Sequence, residues 1–531
     1  MPNRPPCIAT RRDASSGTRL QRRYLSHSTL LLWISLSAVL SAGASAAASD
    51  VPQFQPLWSK PTTVVKTALA MEVCVEPPMR REKRTHDPLF HTLADLNGRY
   101  SRLAFWFPYP KMAVAELEPP TQDKVSWDFT LLDPIVIDFM KAANGRPVMV
   151  NFSTIPEWMF KAGKDVRYPS DTDAIDWTYE KGTELRDPSL QEVRDYFTRV
   201  VSWYTKGGFT DEHGHRHESG YHFKFDVWEV LNEVDFEHHF SPQLYTKIYD
   251  EVVGALRPLD PQMQFSGPAL AAPALQPEFF EYFLDQKNHK PGIPINFASY
   301  HFYAAPEQDE STEVQDHTFF TQMDAYVADV RSIELTRKRL SPQTKTYINE
   351  LGTMTTDNFS LTKQIPPSYW SLSSAAFAYA YLQLAKLQID LIAGAELINY
   401  PGQVPGASLS DWNTGQPNAR YQVLKLLHDQ IAPGDRMVED SDLDLSNTGD
   451  PTTIPPKYYA AQGFLSSDGA RKVLVVNKRN RTLQLRIPGI KGAHVDYIDV
   501  HTGSHSPVSA TLNSDVVDLA GFAVAVIHLV K

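Results

Sequence analysis

Eight apolar runs rich in β-branched and aromatic residues alternate along most of this chain with stretches of helical periodicity. Parallel strands are buried on both faces and are joined by helical crossovers, so this alternation indicates a parallel sheet covered by helices. Eight strand-helix units over roughly 370 residues predict an α/β fold, a (β/α)8 TIM barrel. A doubly wound open sheet is the alternative, but no glycine-rich phosphate-binding motif follows any run. The runs begin at Thr63, Arg99, Arg146, Phe223, Gln264, Ile295, Lys345 and Asp390.

The pattern changes near Pro455 to short alternating strands separated by turn residues, and helical periodicity disappears. This change predicts a small C-terminal antiparallel β-sandwich. We assign residues 49–432 to the barrel and residues 433–531 to the sandwich. The stretch from "IAPGDRMVED" to "TIPPK" is interpreted as the connection.

Residues 1–48 have the composition of an export signal. Six Arg fall in the first 28 residues, and an apolar run then fades into the small residues of "ASAAAS". This order predicts a cleaved signal peptide and a secreted protein. The alternative is an uncleaved anchor and a type II membrane protein, since residues 29–48 approach the length that spans a bilayer.

The net charge argues against one class of binding partner, and the cysteine content limits which disulfides can form. The net charge of −11 argues against a nucleic-acid partner, which normally requires a basic surface. Cys7 lies in the leader, so a cleaved chain keeps only Cys74 and has no internal disulfide. Three Asn-X-Ser/Thr sequons are compatible with a secreted glycoprotein, at Asn151, Asn358 and Asn480.

Two strand ends carry an Asn-Glu pair. The fourth run ends in Asn232 and Glu233, and the seventh ends in Asn349 and Glu350. Working residues of a barrel lie at the carboxyl ends of its strands, so both glutamates are expected to face one cleft. Two carboxyl groups across a pocket are the minimum apparatus for breaking an acetal.

The surroundings of the two glutamates suggest different roles. Glu233 follows the apolar "WEVL" and precedes Val234, which suits a protonated general acid. Glu350 is within reach of Arg102 and Tyr303, whose donors suit an ionised nucleophile. One strand-terminal glutamate alone is more often solvated or paired with lysine, so the prediction depends on the pair.

Aromatic side chains after the strands are candidate sugar-binding surfaces. Trp158, Trp412, Tyr303 and Tyr400 all follow predicted strands. For each tryptophan the alternative is a loop anchor packed on the barrel rim. His301 is expected to contact substrate or to brace the nucleophile, and a buried structural histidine is the alternative.

The motifs "WEVLNE" and "YINELG", with "RLAFWFPYP" and "ASYHFYA", resemble glycoside hydrolase family 39. This family includes β-xylosidases and α-L-iduronidases and belongs to a clan of barrel glycosidases with the acid/base on strand four and the nucleophile on strand seven. The resemblance runs from about Trp58 to the C-terminal sandwich and is most specific at the two glutamates.

The resemblance implies a role for each matching residue. Glu233 corresponds to the general acid/base and Glu350 to the nucleophile. Asn232 corresponds to the residue that hydrogen-bonds the sugar 2-hydroxyl, Tyr303 to the tyrosine that contacts the nucleophile, and Arg102 to the supporting arginine. A retaining mechanism on a carbohydrate substrate, without a cofactor, is therefore expected.

Two departures leave the sugar open. Val234 replaces the proline of the usual Asn-Glu-Pro motif, and the segment after the eighth run differs from that of xylosidases. Two other functions also remain open, a catalytically inactive carbohydrate-binding barrel and a metal-dependent hydrolase. The second would use a histidine-rich segment, which we interpret as a solvated hairpin without metal. Its histidines are His213, His215, His217 and His222, and His238 and His239 follow Glu233.

Overall fold

The computed structural model describes residues 51–161, 167–179, 182–306, 310–355, 364–440 and 458–530. Eight parallel strands in this part of the chain close into a barrel, which confirms the predicted fold class. Each strand overlaps one of the eight predicted runs. The barrel strands are β2 (Ala68–Cys74), β3 (Ser101–Phe105), β4 (Val148–Phe152), β7 (Val227–Glu229), β8 (Gln264–Leu270), β9 (Phe297–Ala304), β10 (Lys345–Thr353) and β11 (Leu391–Gly394).

Helices follow the barrel strands and cover the barrel. Helix α5 shows why the sequence specifies them: the Ser241 hydroxyl accepts from the Leu244 N–H at 3.2 Å, and Pro242 occupies the first turn. The helices are α1 (His86–Leu96), α2 (Pro110–Ala113), α3 (Leu132–Ala143), α4 (Gln191–Thr205), α5 (Pro242–Leu256), α6 (Pro277–Phe283), α7 (Thr312–Leu340), α8 (Pro367–Lys386) and α9 (Ala419–Gln430). None of the described helices has the length and hydropathy needed to cross a bilayer.

Strand alternation divides the barrel side chains between two environments. In β4, Val148, Val150 and Phe152 belong to the large core shared with the helices, whereas Met149 belongs to a small separate cluster inside the barrel. Successive inward positions are two residues apart. The inward residues therefore change along the strands, from the apolar interior cluster to a polar layer nearer the carboxyl ends. The cluster contains Ala70, Met149, Val227, Phe297, Tyr347, Leu391 and Ala393.

The remaining strands form smaller antiparallel sheets. A seven-stranded sheet has the order β1-β12-β13-β14-β19-β16-β17, and its apolar face shares a core with the pair β15-β18. This pairing agrees with a sandwich, and a separate short hairpin joins β5 (Gly208–Thr210) to β6 (Arg216–Glu218). The sandwich strands are β1 (Pro56–Val64), β12 (Arg436–Asp440), β13 (Tyr459–Leu465), β14 (Arg471–Asn477), β15 (Leu483–Arg486), β16 (His494–Ile498), β17 (Val508–Thr511), β18 (Val516–Leu519) and β19 (Val524–His528).

The second sheet departs from the sequence analysis in three places. Residues 56–64 were assigned to the barrel, but β1 pairs antiparallel with β12. Strand β12 lies in the segment interpreted as a connection, and β17 and β18 were not predicted. The physical reason is exposure: β1 is largely exposed and β17 fully so, and neither shows the apolar alternation of a half-buried strand. The exact domain boundaries remain a prediction, and residues 1–48 and Asn358 lie outside the described residues.

Candidate active site

Arg102 on β3 is the centre of the polar layer inside the barrel, and its side chain is fully buried. Its Nε donates to Glu229 Oε2 at 2.6 Å, and its Nη2 donates to Asn232 Oδ1 at 2.5 Å. Its Nη1 donates to Glu350 Oε1 at 2.8 Å and to Glu72 Oε1 at 3.2 Å. One guanidinium thus orients Asn232 and Glu350, as the sequence analysis expected for Glu350.

Glu350 on β10 is held by two donors of different kinds. The Tyr303 hydroxyl donates to its Oε2 at 2.8 Å, opposite the Arg102 contact on Oε1. Charge-assisted hydrogen bonds of this kind stabilise the ionised carboxylate. The side chain is 10% exposed, so it is sheltered but reachable from the barrel mouth.

His301 on β9 lies between the two predicted glutamates. Its Nδ1 is 2.9 Å from Glu233 Oε1 and 3.2 Å from Glu350 Oε2. One ligand-type atom from each of these three residues lies within 4.8 Å of the other two. A carboxylate oxygen of Glu233 and one of Glu350 are therefore less than 4.8 Å apart, although the residues come from distant parts of the chain.

Glu233 lies in a tight turn after β7. Its backbone has a φ of 41°, a left-handed conformation that is uncommon outside glycine. The Glu233 N–H donates to Ala269 O at 2.9 Å, and the Glu233 carbonyl accepts from the Phe236 and Glu237 N–H groups. These contacts fix the turn although Val234 stands in place of the proline of the usual motif.

The environment of Glu233 favours its protonated form. Burial, followed by repulsion from Asp235, raises the pKa of Glu233 to about 8, against an opposing contribution from Arg102. Glu233 therefore holds a proton near neutral pH, which a general acid requires. Burial also lowers the pKa of His301, so its ring is neutral at that pH.

Asn232 is oriented at both ends of its amide. Its Oδ1 accepts from Arg102, and its Nδ2 donates to Glu237 Oε1 at 2.9 Å. Trp106 Nε1 donates to the same Glu237 oxygen at 3.1 Å. The amide is thus fixed with its nitrogen on the side away from the guanidinium.

Glu229 is a site residue that the sequence analysis missed. It lies inside β7, is fully buried, and accepts from Asn151 Nδ2 at 2.8 Å and from Asn349 Nδ2 at 2.8 Å, in addition to Arg102. Burial opposes its ionisation, but Arg102 outweighs this effect and lowers the pKa of Glu229. Its signal in the sequence is a charged residue at an inward position of an apolar strand.

The sequence analysis also missed three buried carboxyl groups, Glu72 on β2, Glu76 just after β2 and Glu396 just after β11. The Tyr303 hydroxyl, which donates to Glu350, lies 3.1 Å from Glu396 Oε1, so one hydroxyl joins Glu396 to Glu350. Burial, then repulsion from Glu350, raises the pKa of Glu396 to about 8. Burial also raises the pKa of Glu72 and of Glu76 well above the usual range.

Trp158 and Trp412 were predicted as sugar-binding surfaces, and in the structure both rings contact other protein side chains. Trp158 donates through Nε1 to Glu116 O at 2.8 Å, and the Arg186 guanidinium lies 4.5 Å from its ring centroid. Trp412 packs beside Trp370 of α8 at 6.3 Å between ring centroids. These are packing contacts of the kind that a rim anchor makes, and sugar binding by either ring stays a prediction.

Tyr400 lies nearer the acidic side of the pocket. Its hydroxyl contacts the Tyr109 hydroxyl, to which Gln403 Nε2 also donates at 2.9 Å. Burial, followed by the charge of Glu76, raises the pKa of Tyr400. Tyr400 therefore remains a candidate for the pocket wall.

The histidine-rich segment forms the predicted hairpin, β5-β6, between α4 and β7. A connection from a helix to the next strand lies at the amino end of the barrel strands, opposite the two glutamates. His217 Nε2 lies 2.8 Å from Asp211 Oδ2, and the His215 side chain is 76% exposed. His238 instead stacks on Phe160 and Phe240, and burial lowers its pKa to about 4. In the described part of the chain this segment brings no three metal-ligating side chains together.

Two of the predicted sequons have very different settings. The Asn151 side chain is fully buried and donates to Glu229 and to Leu231 O, so the folded protein does not present it to solvent. Asn480 is exposed after β14. Only Asn480 of these two is accessible for a glycan on the folded chain.

Comparisons with known proteins find similar sequences among the glycoside hydrolases. The family model described as Glycosyl hydrolases family 39 matches residues 111–363. A beta-xylosidase of Geobacillus stearothermophilus is 26% identical over 199 residues, which are 37% of this chain and 34% of the relative. A beta-xylosidase of Caldicellulosiruptor saccharolyticus is 25% identical over 179 residues, 34% of this chain and 32% of the relative. The chain thus matches about a third of the length of either relative.

Solved structures extend the similarity in fold over most of the chain. The structure of a GH39 beta-xylosidase from Caulobacter crescentus superposes with a TM-score of 0.56 at 16% identity, covering 91% of this chain and 100% of that one. A GH30 endoxylanase from Clostridium papyrosolvens gives 0.52 at 11% identity, covering 90% and 100%. At these identities the similarity establishes the barrel fold.

Proposed function

This chain belongs to glycoside hydrolase family 39, whose model matches residues 111–363, and we propose that it is a retaining glycosidase. Glu350 is the proposed nucleophile and Glu233 the proposed acid/base. The substrate is a terminal sugar of an oligosaccharide, polysaccharide or glycoconjugate. The named relatives support a β-xylosidase-like activity, with the sugar itself part of the proposal.

The single observation that carries this proposal is the approach of Glu233 to Glu350. Their nearest carboxylate oxygens lie within 4.8 Å, and both contact His301 Nδ1. Retaining glycosidases hold their carboxyl groups about 5–5.5 Å apart, whereas inverting enzymes leave about 6.5–9.5 Å for a water molecule. The short separation supports direct attack by a carboxylate.

In the first step Glu350 attacks the anomeric carbon, and the bond between that carbon and the leaving oxygen breaks. The proton of Glu233 passes to that oxygen, and the sugar remains as an ester on Glu350. Arg102 and Tyr303 stabilise Glu350 before attack. Asn232 is proposed to donate from Nδ2 to the sugar 2-hydroxyl, since Arg102 and Glu237 fix its amide.

In the second step the ionised Glu233 takes a proton from water, and the resulting hydroxide attacks the anomeric carbon. The ester bond to Glu350 breaks, the sugar leaves with its original configuration, and both carboxyl groups return to their starting states. His301 holds both glutamates through Nδ1 during this exchange of roles.

A panel of aryl glycosides tests this function. We expect hydrolysis of at least one member, release of the anomer with the starting configuration by NMR, and loss of turnover in Glu350→Gln and Glu233→Gln. A 2-fluoro analogue of the best substrate should leave a sugar on the peptide that contains Glu350. An inactive wild-type protein that still binds sugars would favour the non-catalytic carbohydrate-binding barrel. Running the assay in EDTA tests the metal-dependent alternative.

We also propose that residues 1–48 direct export of the chain and that the product is secreted. The proposal is supported by the arginine-rich start, the apolar run and the small residues that follow it. N-terminal sequencing of the exported form should find a start near residue 49. Full-length protein retained in the membrane fraction would support the anchor alternative.

A further inference from the structure

We propose that the sugar pocket accepts neutral sugars and rejects sugars that carry a carboxylate, such as uronic acids. This inference rests on the proposed function and names the substrate class of the same site. Family resemblance leaves the choice open, because the family includes enzymes for both kinds of sugar. The charges around Glu350 decide it.

Carboxyl groups line the pocket on both sides of the nucleophile. Tyr303 joins Glu350 to Glu396, and Glu396 lies within 4.8 Å of Glu76 and of the Cys74 sulfur, counting the nearest atoms. We call this group, with the carboxyls around Arg102 and His301, the acidic cluster. Its members are Glu72, Glu76, Glu229, Glu233, Glu350 and Glu396. A ring attacked by Glu350 lies against this cluster.

Arg102 and Arg420, the basic side chains whose charges act on the cluster, are already engaged. Every side-chain nitrogen of Arg102 donates to a side chain of the site, and three of its four acceptors are carboxyl groups. The two terminal nitrogens of Arg420 donate to backbone carbonyls, including Ala395 O at 2.7 Å. Within the described chain, no basic side chain forms an ion pair with Glu76 or Glu396.

His301 adds another acceptor rather than a cation. Its Nδ1 faces the carboxyl groups of Glu233 and Glu350, so the ring proton belongs on that nitrogen. Its Nε2 is then a bare acceptor, buried and without a partner among the described residues. A sugar carboxylate would find no charged donor here to replace its lost hydration.

Sugar hydroxyl groups, unlike a sugar carboxylate, can find hydrogen-bond partners at this site. Glu72 Oε2 and Gln403 Oε1 are buried polar atoms without a hydrogen-bond partner in the described chain. Buried polar atoms are normally satisfied, and a sugar hydroxyl can donate to one and accept from another. The burial and repulsion that raise the pKa of Glu396 to about 8 would act equally on a bound uronate. The same environment therefore favours a neutral polyol and penalises an additional anion.

The test compares aryl glycosides that differ in charge alone. For each configuration that the enzyme accepts, the uronic acid is paired with its uronamide, which has nearly the same shape. We expect kcat/KM, or the inhibition constant where turnover is slow, to favour the amide at least 100-fold. Aryl iduronide should be a correspondingly poor substrate. Equal values for acid and amide, including a failure of both to bind, would overturn the proposal.

A variant separates charge from shape. In Glu350→Gln, measured by calorimetric binding because turnover is lost, we expect the preference for the amide to fall about tenfold, since the ionised carboxylate that faces the sugar is removed. Glu118→Gln is the matched control, since this glutamate is 63% exposed and pairs with Lys124 at the surface. An unchanged preference in Glu350→Gln would contradict the charge argument. If wild type hydrolyses no glycoside, the proposed function fails, and calorimetric binding of acid against amide still decides the selectivity.

Discussion

Arg102 Nε donates to Glu229 Oε2 at 2.6 Å, and both side chains are inaccessible to solvent. This buried ion pair lies in the layer between the apolar barrel interior and the two proposed catalytic glutamates. Glu229 takes the Nε side of the guanidinium, which leaves the other two nitrogens facing Asn232 and Glu350. The orientation of the nucleophile thus depends on a carboxylate that does not contact the reacting atoms.

Replacement of Glu229 by glutamine tests this dependence. Removing one partner of a buried ion pair lowers the free energy of unfolding by about 3–5 kcal/mol. Glutamine should reduce this loss, because it keeps the shape of glutamate and can still accept a hydrogen bond. We expect a lower Tm and a kcat at least tenfold lower, with a smaller change in KM. The remaining Arg102 charge is less compensated, so it should lower the pKa of Glu233 and move the alkaline limb of the activity profile to lower pH.

That pH shift distinguishes positioning from general destabilisation. A stability defect alone lowers the amount of active enzyme and leaves the shape of the pH profile unchanged. Glu229→Gln with wild-type kcat and an unmoved alkaline limb would show that Glu229 has no role in orienting Arg102. Circular dichroism at the assay temperature confirms that the variant is folded.

Glu233 determines the expected response to pH. Its pKa is raised to about 8, chiefly by burial, and the proposed first step requires its proton. The active fraction of free enzyme is therefore full well below pH 8 and falls as pH rises through that value. For a glycoside with a poor leaving group, we expect kcat/KM to fall about tenfold per pH unit above the pKa of Glu233.

Changing the leaving group checks the assignment of that limb. An aryl glycoside with a strongly acidic phenol needs little protonation, so its alkaline limb should be weaker or absent while the glycosylation step limits the rate. The same alkaline limb for good and poor leaving groups would argue against Glu233 as the acid.

The barrel strands were predictable from sequence because each is buried on both faces and appears as a continuous apolar run. Glu233 and Glu350 were predictable because they follow such runs directly. Glu229 was missed because the side chains that hold its buried carboxyl are distant in sequence. Arg102, for example, lies 127 positions from Glu229. Glu396 has one partner nearby, Asn399, but its link to the nucleophile runs through the distant Tyr303. The contacts of Trp158 depend on Arg186 and Glu116 in other loops, which no local pattern encodes.

Tyr303 is expected to contribute to activity through its hydroxyl. That group donates to Glu350 at 2.8 Å and lies 3.1 Å from Glu396. A hydrogen bond to a charged group contributes about 1.5–3 kcal/mol, so Tyr303→Phe should lower kcat/KM about 10–100-fold. Steady-state kinetics on the best aryl glycoside measures the change.

Tyr300→Phe is the matched control on the same strand. Its ring packs in the outer core against Phe280 and Tyr326, and its hydroxyl has no hydrogen-bond partner among the described residues. We expect its kinetics to remain within twofold of wild type. Equal losses in both variants would attribute the effect of Tyr303→Phe to packing of the barrel.

Glu396 links the pocket to the pH dependence of folding. Its pKa rises from 4.5 to about 8 in the native state, so the folded protein holds this proton more tightly than the unfolded chain. The resulting stability is fully present below pH 4.5 and is lost as pH rises through 8. Over that window the loss reaches about 1.4 kcal/mol per pH unit.

Glutamine at position 396 has no proton to lose, so Glu396→Gln should flatten this slope. We expect the variant to gain free energy of unfolding relative to wild type as pH rises from 5 to 8, measured by urea denaturation at several pH values. Glu118→Gln, at an exposed ion pair, should leave the wild-type slope unchanged. A wild-type slope retained in Glu396→Gln would mean that Glu396 is already ionised in the folded protein, so that the site carries one more negative charge than its raised pKa implies.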